Sequence, residues 1–235
     1  MAAFDRGRGR TVGACAASGR ENAAGLDPAA LWLACSNSPA FFIDRCVQLY
    51  DPTGSGGSAK GWQPFRLWPA QVRVVETLAA DRLCVILKAR QLGISWLTVG
   101  FALWHMIFRP AATALFFSKR DDEAVHLLNM RLRGMYDRLP PPLRAAGVER
   151  DNAHEFRLSN GSSALAFPTT GGRSYTASIA IVDEADHAED LDQLLNAVKP
   201  TIDAGGRLIL LSTVDKARPE SPFKRIYRAA ADGRN

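Results

Sequence analysis

Short apolar runs alternate with longer stretches of three- and four-residue periodicity from residue 65 onward. Residues 95–108 and 121–139 have the spacing of helices, with Leu128 and Leu132 among the repeating apolar positions of the second stretch. Strands buried on both faces of a parallel sheet read as continuous apolar runs. Four such runs occur, at residues 84–87, 113–117, 179–182 and 208–211. The alternation predicts an α/β fold with a mostly parallel sheet flanked by helices.

A change of pattern follows the second long helix. Residues 155–158 and 163–167 flank the sequence Ser159-Asn160-Gly161. Asn-Gly between two alternating runs is typical of a tight hairpin turn, because both residues tolerate left-handed backbone angles. The sequence therefore predicts a β-hairpin insertion in the fold.

The segment before the sheet predicts a small helical preface. Within residues 28–60, the pair Ser38-Pro39 has the form of a helix N-cap followed by proline at the first helical position. A Gly- and Ser-rich linker completes this segment, and residues 61–235 then form the main domain. Residues 1–27 are rich in Gly, Ala, Ser and Arg without periodicity, so we expect a flexible basic arm there.

Composition and charge restrict the protein class only mildly. With 235 residues, 47% of them hydrophobic, the chain can bury the core of one domain. A formal net charge of +5 suits an anionic partner without requiring one. The longest apolar stretch, residues 96–108, is shorter than the roughly 20 residues needed to cross a bilayer, so no membrane span is predicted. The four cysteines match neither a zinc pattern nor a C-x-x-C pair, which favours reduced thiols in a cytoplasmic protein.

The first apolar run leads into a candidate phosphate-binding loop. A loop that ends at a helix N-terminus directs unpaired N–H groups and the positive end of the helix dipole at a bound anion. Gly93 permits close backbone approach, and the Ser95 hydroxyl is placed to bind Mg²⁺. The segment is Lys88-Ala89-Arg90-Gln91-Leu92-Gly93-Ile94-Ser95.

This segment meets the standard phosphate-loop pattern only in part. Ala89 stands for the first glycine and Ile94 for the lysine. A buried strand followed by a loop and a helix N-terminus could have the same residues without binding a phosphate group. Lys88 and Arg90 favour ATP binding, because either cation could lie over the β- and γ-phosphates. The sequence leaves open which of the two takes the place of the missing lysine.

Two adjacent carboxylates follow the third apolar run. Ligands bind at the carboxyl ends of the strands in open α/β sheets, which is where Asp183 and Glu184 are expected. Strand alternation puts the two side chains on opposite sides of the chain, so Asp183 could hold Mg²⁺ while Glu184 polarises the attacking water. A solvated cluster of charges is the alternative. His187, three residues further on, is interpreted as a surface or capping histidine.

Three more positions complete the candidate site. Gln71 follows an aromatic turn, and its amide could read the donor and acceptor on an adenine edge. The fourth apolar run ends in Ser212 and Thr213, which brings two hydroxyl groups to the same sheet edge. Arg173 lies in a glycine-containing loop ten residues before Asp183. A helical glutamine, a strand with a polar end and an exposed arginine are the respective alternatives.

These elements, in this order, resemble the ATPase domain of the large terminase subunit of tailed bacteriophages. Such subunits commonly have a lysine at the first loop position, then Arg-Gln-x-Gly and Ser or Thr, as in residues 88–95. The resemblance implies a P-loop NTPase fold of the RecA-like (ASCE) type. It also implies adenine contact by Gln71, an arginine finger at Arg173, and coupling of the nucleotide state to DNA by Ser212 and Thr213.

The resemblance further implies ATP hydrolysis with Mg²⁺ that drives double-stranded DNA into a capsid. The expected partners are DNA, the portal, the small terminase subunit and further copies of the chain in a ring, within the bacterial cytoplasm. Only 22 residues follow Thr213, so we expect no nuclease domain in this chain, which could be a fragment, a split gene product or an isolated domain. A helicase-like P-loop ATPase and an inactive prophage remnant are the alternatives. DNA-stimulated ATP turnover separates active forms from the remnant.

Overall fold

A computed structural model describes residues 25–54, 60–171, 175 and 177–233 of the chain. Its first two helices are α1 (Pro28–Asn37) and α2 (Pro39–Cys46). The Ser38 hydroxyl accepts a hydrogen bond from the N–H of Phe41 at 3.1 Å, which confirms the predicted cap. The predicted basic arm lies almost entirely outside the described residues.

A small antiparallel sheet follows the helical pair and was not predicted. Its strands are β1 (Gln48–Asp51) and β2 (Gly61–Pro64), in a register that places Tyr50 opposite Trp62. The Gly- and Ser-rich composition of the intervening segment concealed these short strands. Residues 28–47 contribute Leu31, Phe42 and other side chains to the same hydrophobic core as the helices of the main sheet.

The main sheet has seven strands in the described part of the chain, in the order β3-β9-β8-β4-β7-β6-β5. The first five in this order are parallel, and β6 and β5 are antiparallel additions. Each of the four predicted strands is confirmed to within one residue at either end. The strands are β3 (Leu83–Leu87), β4 (Thr113–Ser118), β5 (Val148–Asp151), β6 (Glu155–Leu158), β7 (Ser163–Pro168), β8 (Ile179–Asp183) and β9 (Arg207–Ser212).

The predicted hairpin is formed by β6 and β7, with Asn160 and Gly161 in its turn. Gly161 has a φ of 82°, the left-handed conformation that the turn requires. The Asn160 side chain donates to the carbonyl of Met106 at 2.8 Å. Because β7 also pairs with β4 in parallel, the hairpin extends the main sheet instead of standing apart from it.

Helices cover both faces of the sheet. Phe116 of β4 faces one core cluster, to which α1 to α4 contribute, and Phe117 faces a second cluster with α7 and α8. Among the described residues, no helix is both long enough and apolar enough to span a membrane. The helices are α3 (Pro69–Ala80), α4 (Ile94–Phe108), α5 (Asp121–His126), α6 (Gly134–Asp137), α7 (Leu191–Asp203) and α8 (Pro222–Ala231).

The predicted long helix at residues 121–139 has a π-helical segment, Leu127–Arg133, between α5 and α6. Gly134 follows it, directly beneath the indole ring of Trp62. A Cβ atom at this position would overlap the ring of Trp62, whereas one at Gly100 in α4 would lie 3.4 Å from Ile43. The ring of Trp62 is itself confined, because the guanidinium of Arg138 lies 3.9 Å from its centroid.

We expect Gly134→Ala to lower the free energy of unfolding by about 1–3 kcal/mol, the usual effect of overpacking. Gly100→Ala is the matched control, because it gains the same helix propensity of about 1 kcal/mol without a close contact. Urea denaturation of the two variants measures the difference. Equal stability of the two variants would contradict the close approach of Trp62 to the helix.

Candidate active site

The candidate phosphate loop connects β3 to α4 and has an unusual backbone. Gln91 and Gly93 have φ values of 62° and 70°, both left-handed. Gly93 directly precedes the first residue of α4, and no side chain forms a capping hydrogen bond there. The N–H groups of the first turn of α4 are therefore without a side-chain cap, as an anion site at a helix N-terminus requires.

Gln71 of α3 forms a hydrogen bond to the backbone of this loop. Its buried side-chain amide donates to the carbonyl of Leu92 at 3.0 Å and accepts from the N–H of Trp68 at 2.9 Å. A Cβ atom at Gly93 would lie only 3.1 Å from Nε2 of Gln71, so the close packing favours glycine. Each end of the amide keeps one further hydrogen-bonding position, and adenine recognition by Gln71 stays a prediction.

Lys88 contacts the two carboxylates at the end of β8, Asp183 and Glu184. Its ammonium is 2.7 Å from Oε1 of Glu184 and 3.5 Å from Oδ1 of Asp183. The side chains of Lys88 and Asp183 are only 8% and 9% exposed, which keeps the charges close to each other and largely away from water. The loop and the carboxylate strand thus meet across this ion pair.

The prediction that Asp183 and Glu184 lie on opposite sides of the chain is wrong. Both side chains contact the Lys88 ammonium. The physical reason is the backbone of Glu184, which leaves the strand in a left-handed conformation with φ 52° and ψ 43°. This turn cancels the alternation that an extended strand would impose.

The second oxygen of Glu184 binds the end of β9. Oε2 accepts hydrogen bonds from the N–H of Thr213 at 3.0 Å and from its hydroxyl at 2.9 Å. Burial by itself raises the pKa of Glu184, but the hydrogen bonds from Lys88 and Thr213 and the charge of Lys88 outweigh it, so the pKa is lowered. Glu184 is therefore ionised at neutral pH.

A cavity of about 690 Å³ lies above these groups, within the usual size range of small-molecule sites. It brings half of the predicted residues together. Arg173 lies outside the described residues, Ile94 is buried in the core at 8% exposure, and Ala89 and Leu92 are exposed beside the cavity. The predicted residues that line the cavity are Lys88, Arg90, Gln91, Ser95, Asp183, Glu184 and Thr213.

The cavity also contains residues that had no assigned role in the sequence, among them Lys119, His187 and Arg131. Lys119 follows β4 directly, so its position at a strand end was a usable signal. His187 lies 3.3 Å from the Thr213 hydroxyl through Nε2, so it belongs to the wall of the site. Arg131 is on the π-helical segment, and no local sequence pattern indicates that it faces the cavity.

Behind the site, the fully buried side chain of Asp186 is the centre of a network of hydrogen bonds and an ion pair. It accepts hydrogen bonds from the N–H of Asp215 at 2.7 Å and from the Ser221 hydroxyl, and it forms an ion pair with Lys224 at 2.7 Å. Its own N–H donates to the hydroxyl of Ser212 at 3.0 Å. Asp186 thus joins the end of β9 to the N-terminus of α8.

The arrangement of loop, carboxylates and strands defines the class of protein. Strand β9 lies between the loop strand β3 and the carboxylate strand β8. Together with the loop at the N-terminus of α4, this order gives the P-loop NTPase fold, so the predicted fold class is confirmed.

Solved structures with the same fold are large terminases of bacteriophages. The HK97 large terminase matches with a TM-score of 0.63 at 18% identity, over 84% of this chain and 42% of that chain. A variant of the Thermus phage P74-26 large terminase ATPase domain matches with a TM-score of 0.57 at 17% identity, over 69% and 70%. The large terminase of a thermophilic bacteriophage matches with a TM-score of 0.56 at 14% identity, over 71% of this chain and 43% of that chain.

The predicted resemblance to large terminases is thus confirmed as a likeness of fold. This chain spans less than half the length of two of these proteins, the HK97 large terminase and that of the other thermophilic phage. No family profile and no curated protein matches its sequence.

The Asp186 network generates a stability prediction. Lys224→Met leaves a buried carboxylate without its cation, so we expect a loss of about 3–5 kcal/mol in the free energy of unfolding at pH 7. Lys199→Met is the control, because its partner Asp203 and Lys199 itself are both exposed and such pairs contribute at most about 1 kcal/mol.

The loss should also depend on pH. Burial raises the pKa of Asp186, but Lys224, Ser221 and the N–H of Asp215 lower it further, so the net shift is downward. The parent protein therefore has this stabilisation above the ordinary pKa and loses it as pH falls through the lower folded value. Denaturation at pH 7 and pH 3 should show a smaller deficit in acid, and a pH-independent deficit would contradict the assignment.

Proposed function

We propose that this chain is the ATPase motor domain of a phage large terminase, which hydrolyses ATP to drive double-stranded DNA into a capsid. One observation supports it most directly. The Lys88 ammonium reaches across the cavity to Asp183 and Glu184, so the atypical loop supplies a cation at the carboxylates. The fold likeness to large terminases favours this function over that of a helicase.

The cavity suits a nucleoside triphosphate. Lys88, Arg90, Lys119 and Arg131 line it beside four carboxylates, so cations that can contact phosphate oxygens and acidic groups that can hold a metal ion face the same space. The uncapped first turn of α4 supplies further N–H donors. None of these features requires a lysine at position 94, where this chain has isoleucine.

The same cavity contains donors that fit Mg²⁺. The Ser95 hydroxyl and the Asp183 carboxylate both line it, and hard oxygen ligands of this kind suit Mg²⁺ together with phosphate oxygens. When bound, the metal would neutralise charge on the β- and γ-phosphates. The Asp183 carboxylate is only 9% exposed and contacts both Lys88 and Arg131, which restrict its position in the cavity wall.

The chain's own residues would perform the remaining tasks. Lys88 and Arg90 would bind the phosphates, and Lys88 would then leave Oε1 of Glu184 free to accept a proton from water. Thr213 would keep the other oxygen of Glu184 fixed, because it already donates two hydrogen bonds to it. Phosphoryl transfer depends mainly on such positioning.

We further propose the partners of the motor. Double-stranded DNA, the capsid portal and the small terminase subunit would contact a ring of several copies in the bacterial cytoplasm. Ser212 and Thr213 would couple the nucleotide state to DNA movement, since Thr213 contacts Glu184 and Ser212 contacts Asp186. Arg173 would act as an arginine finger on the nucleotide of its own or a neighbouring subunit.

The function is tested by ATP turnover with and without double-stranded DNA. We expect DNA-stimulated hydrolysis in the parent and its loss in Glu184→Gln, because an amide cannot accept a proton from water. ATP binding, measured by fluorescence of a labelled nucleotide, should change by less than about threefold. Hydrolysis by Glu184→Gln within about threefold of the parent would remove Glu184 from this role, and a parent that binds no nucleotide would support the inactive remnant.

A second pair of variants tests which cation replaces the missing lysine. Lys88→Ala should weaken nucleotide binding and stop hydrolysis, because a buried ammonium at the carboxylates is lost. Arg90→Ala should have the smaller effect, since Arg90 is exposed at the rim of the cavity. The opposite order, with normal turnover in Lys88→Ala, would transfer the role to Arg90.

A further inference from the structure

Arg131 lies in the cavity wall and has no role so far. It belongs to the π-helical segment Leu127–Arg133, and such segments are rare but are often found at functional sites. Its Nη1 is 3.7 Å from Oδ2 of Asp183, on the side of that carboxylate away from Lys88, which approaches Oδ1. Asp183 thus lies between two cations.

The guanidinium of Arg131 has unused donors. Its Nε and Nη1 atoms are buried and have no hydrogen-bond partner among the described residues. A buried donor without a partner destabilises the fold, so such a group calls for an explanation. Burial lowers the pKa of Arg131, while Asp183 and Glu184 raise it, yet an arginine remains charged at any ordinary pH. Arg131 nevertheless lines the cavity and its side chain is 20% exposed, so this charged group can contact an anion with several oxygens there.

Aromatic rings hold Arg131 in place. The guanidinium carbon is 5.4 Å from the centroid of Trp96, which follows Ser95 in the first turn of α4. Trp96 in turn packs edge-on against Trp62 of β2, with 5.8 Å between ring centroids. The direction of Arg131 is therefore set by the same helix that ends the phosphate loop.

We propose that Arg131 is a further catalytic residue, which binds the oxygens of the transferred γ-phosphoryl group in its own subunit. This inference rests on the proposed ATPase function. In hydrolysis, the water oxygen bonds to the γ-phosphorus while the bond to the bridging oxygen breaks, ADP keeps that electron pair, and Glu184 accepts the proton of the water. Arg131 forms no covalent bond but stabilises the charge on the phosphoryl oxygens.

The role differs from that expected of Arg173. Arg131 is on the same chain and in the same cavity as Lys88 and Glu184, so it needs no neighbouring subunit. An ADP-bound site lacks the γ-phosphoryl group. Arg131 should therefore contribute to the binding of ATP and not to that of ADP.

The test uses the full chain with Mg²⁺, fluorescent ATP and ADP analogues, and steady-state hydrolysis. Arg131→Ala should reduce turnover by about 10²–10³-fold, the usual loss on removing one transition-state donor. It should weaken ATP binding about tenfold and leave ADP binding within about twofold. Arg131→Lys, which keeps the charge and guards against misfolding, should lose at least about tenfold in turnover because an ammonium lacks the planar fork.

Arg133→Ala is the matched control, because Arg133 lies on the same π-helical segment but binds Asp151 and the carbonyl of Asn152 at the end of β5. Its nucleotide binding and turnover should remain within about twofold of the parent. Equal losses of ATP and ADP binding in Arg131→Ala, or turnover within about threefold of an active parent, would overturn the proposal. So would restored activity on mixing Arg131→Ala with Glu184→Gln subunits, since that result requires action between subunits. A parent that binds neither nucleotide would overturn the ATPase function and this role together.

Discussion

The ammonium of Lys88, 2.7 Å from Glu184 and 3.5 Å from Asp183, joins two strands that are not neighbours. Strand β9 separates them, and its register aligns Leu87 with Ser212 and Asp183 with Leu211. A buried ion pair that loses a partner costs about 3–5 kcal/mol, so the register and the ion pair stabilise each other. The cavity exists because three strand ends are level at this edge of the sheet.

Backbone strain is concentrated at the same edge. Gln91 and Glu184 are two of the three non-glycine residues with positive φ in the described part of the chain, and each such conformation costs about 1–3 kcal/mol. Neighbouring contacts compensate for this cost. Gln71 holds the loop through the carbonyl of Leu92, and Thr213 holds the carboxylate of Glu184 with two hydrogen bonds. The strain turns both carboxylates toward Lys88, which an undistorted strand could not do.

The features that the sequence predicted are determined by neighbouring residues, whereas those it missed are determined by residues far away along the chain. The four central strands, the Ser38 cap and the turn at Gly161 depend on local composition and periodicity, so the sequence predicted them. The position of Arg131 depends on a π-helical segment and on the contact of its guanidinium with the distant Trp96. The left-handed turn at Glu184 likewise depends on hydrogen bonds from Thr213, 29 residues away. Neither has a signature in the neighbouring sequence.

The buried network behind the site gives the proposed coupling a physical form. Oε2 of Glu184 binds Thr213, the preceding Ser212 accepts from the N–H of Asp186, and Asp186 binds Lys224 in the first turn of α8. The Asp186 side chain has no exposure to water, so it cannot exchange these partners for solvent without a large loss of stability. In the proposed coupling, a movement of Thr213 would therefore be transmitted through Ser212 and Asp186 to α8 instead of being absorbed at the cavity.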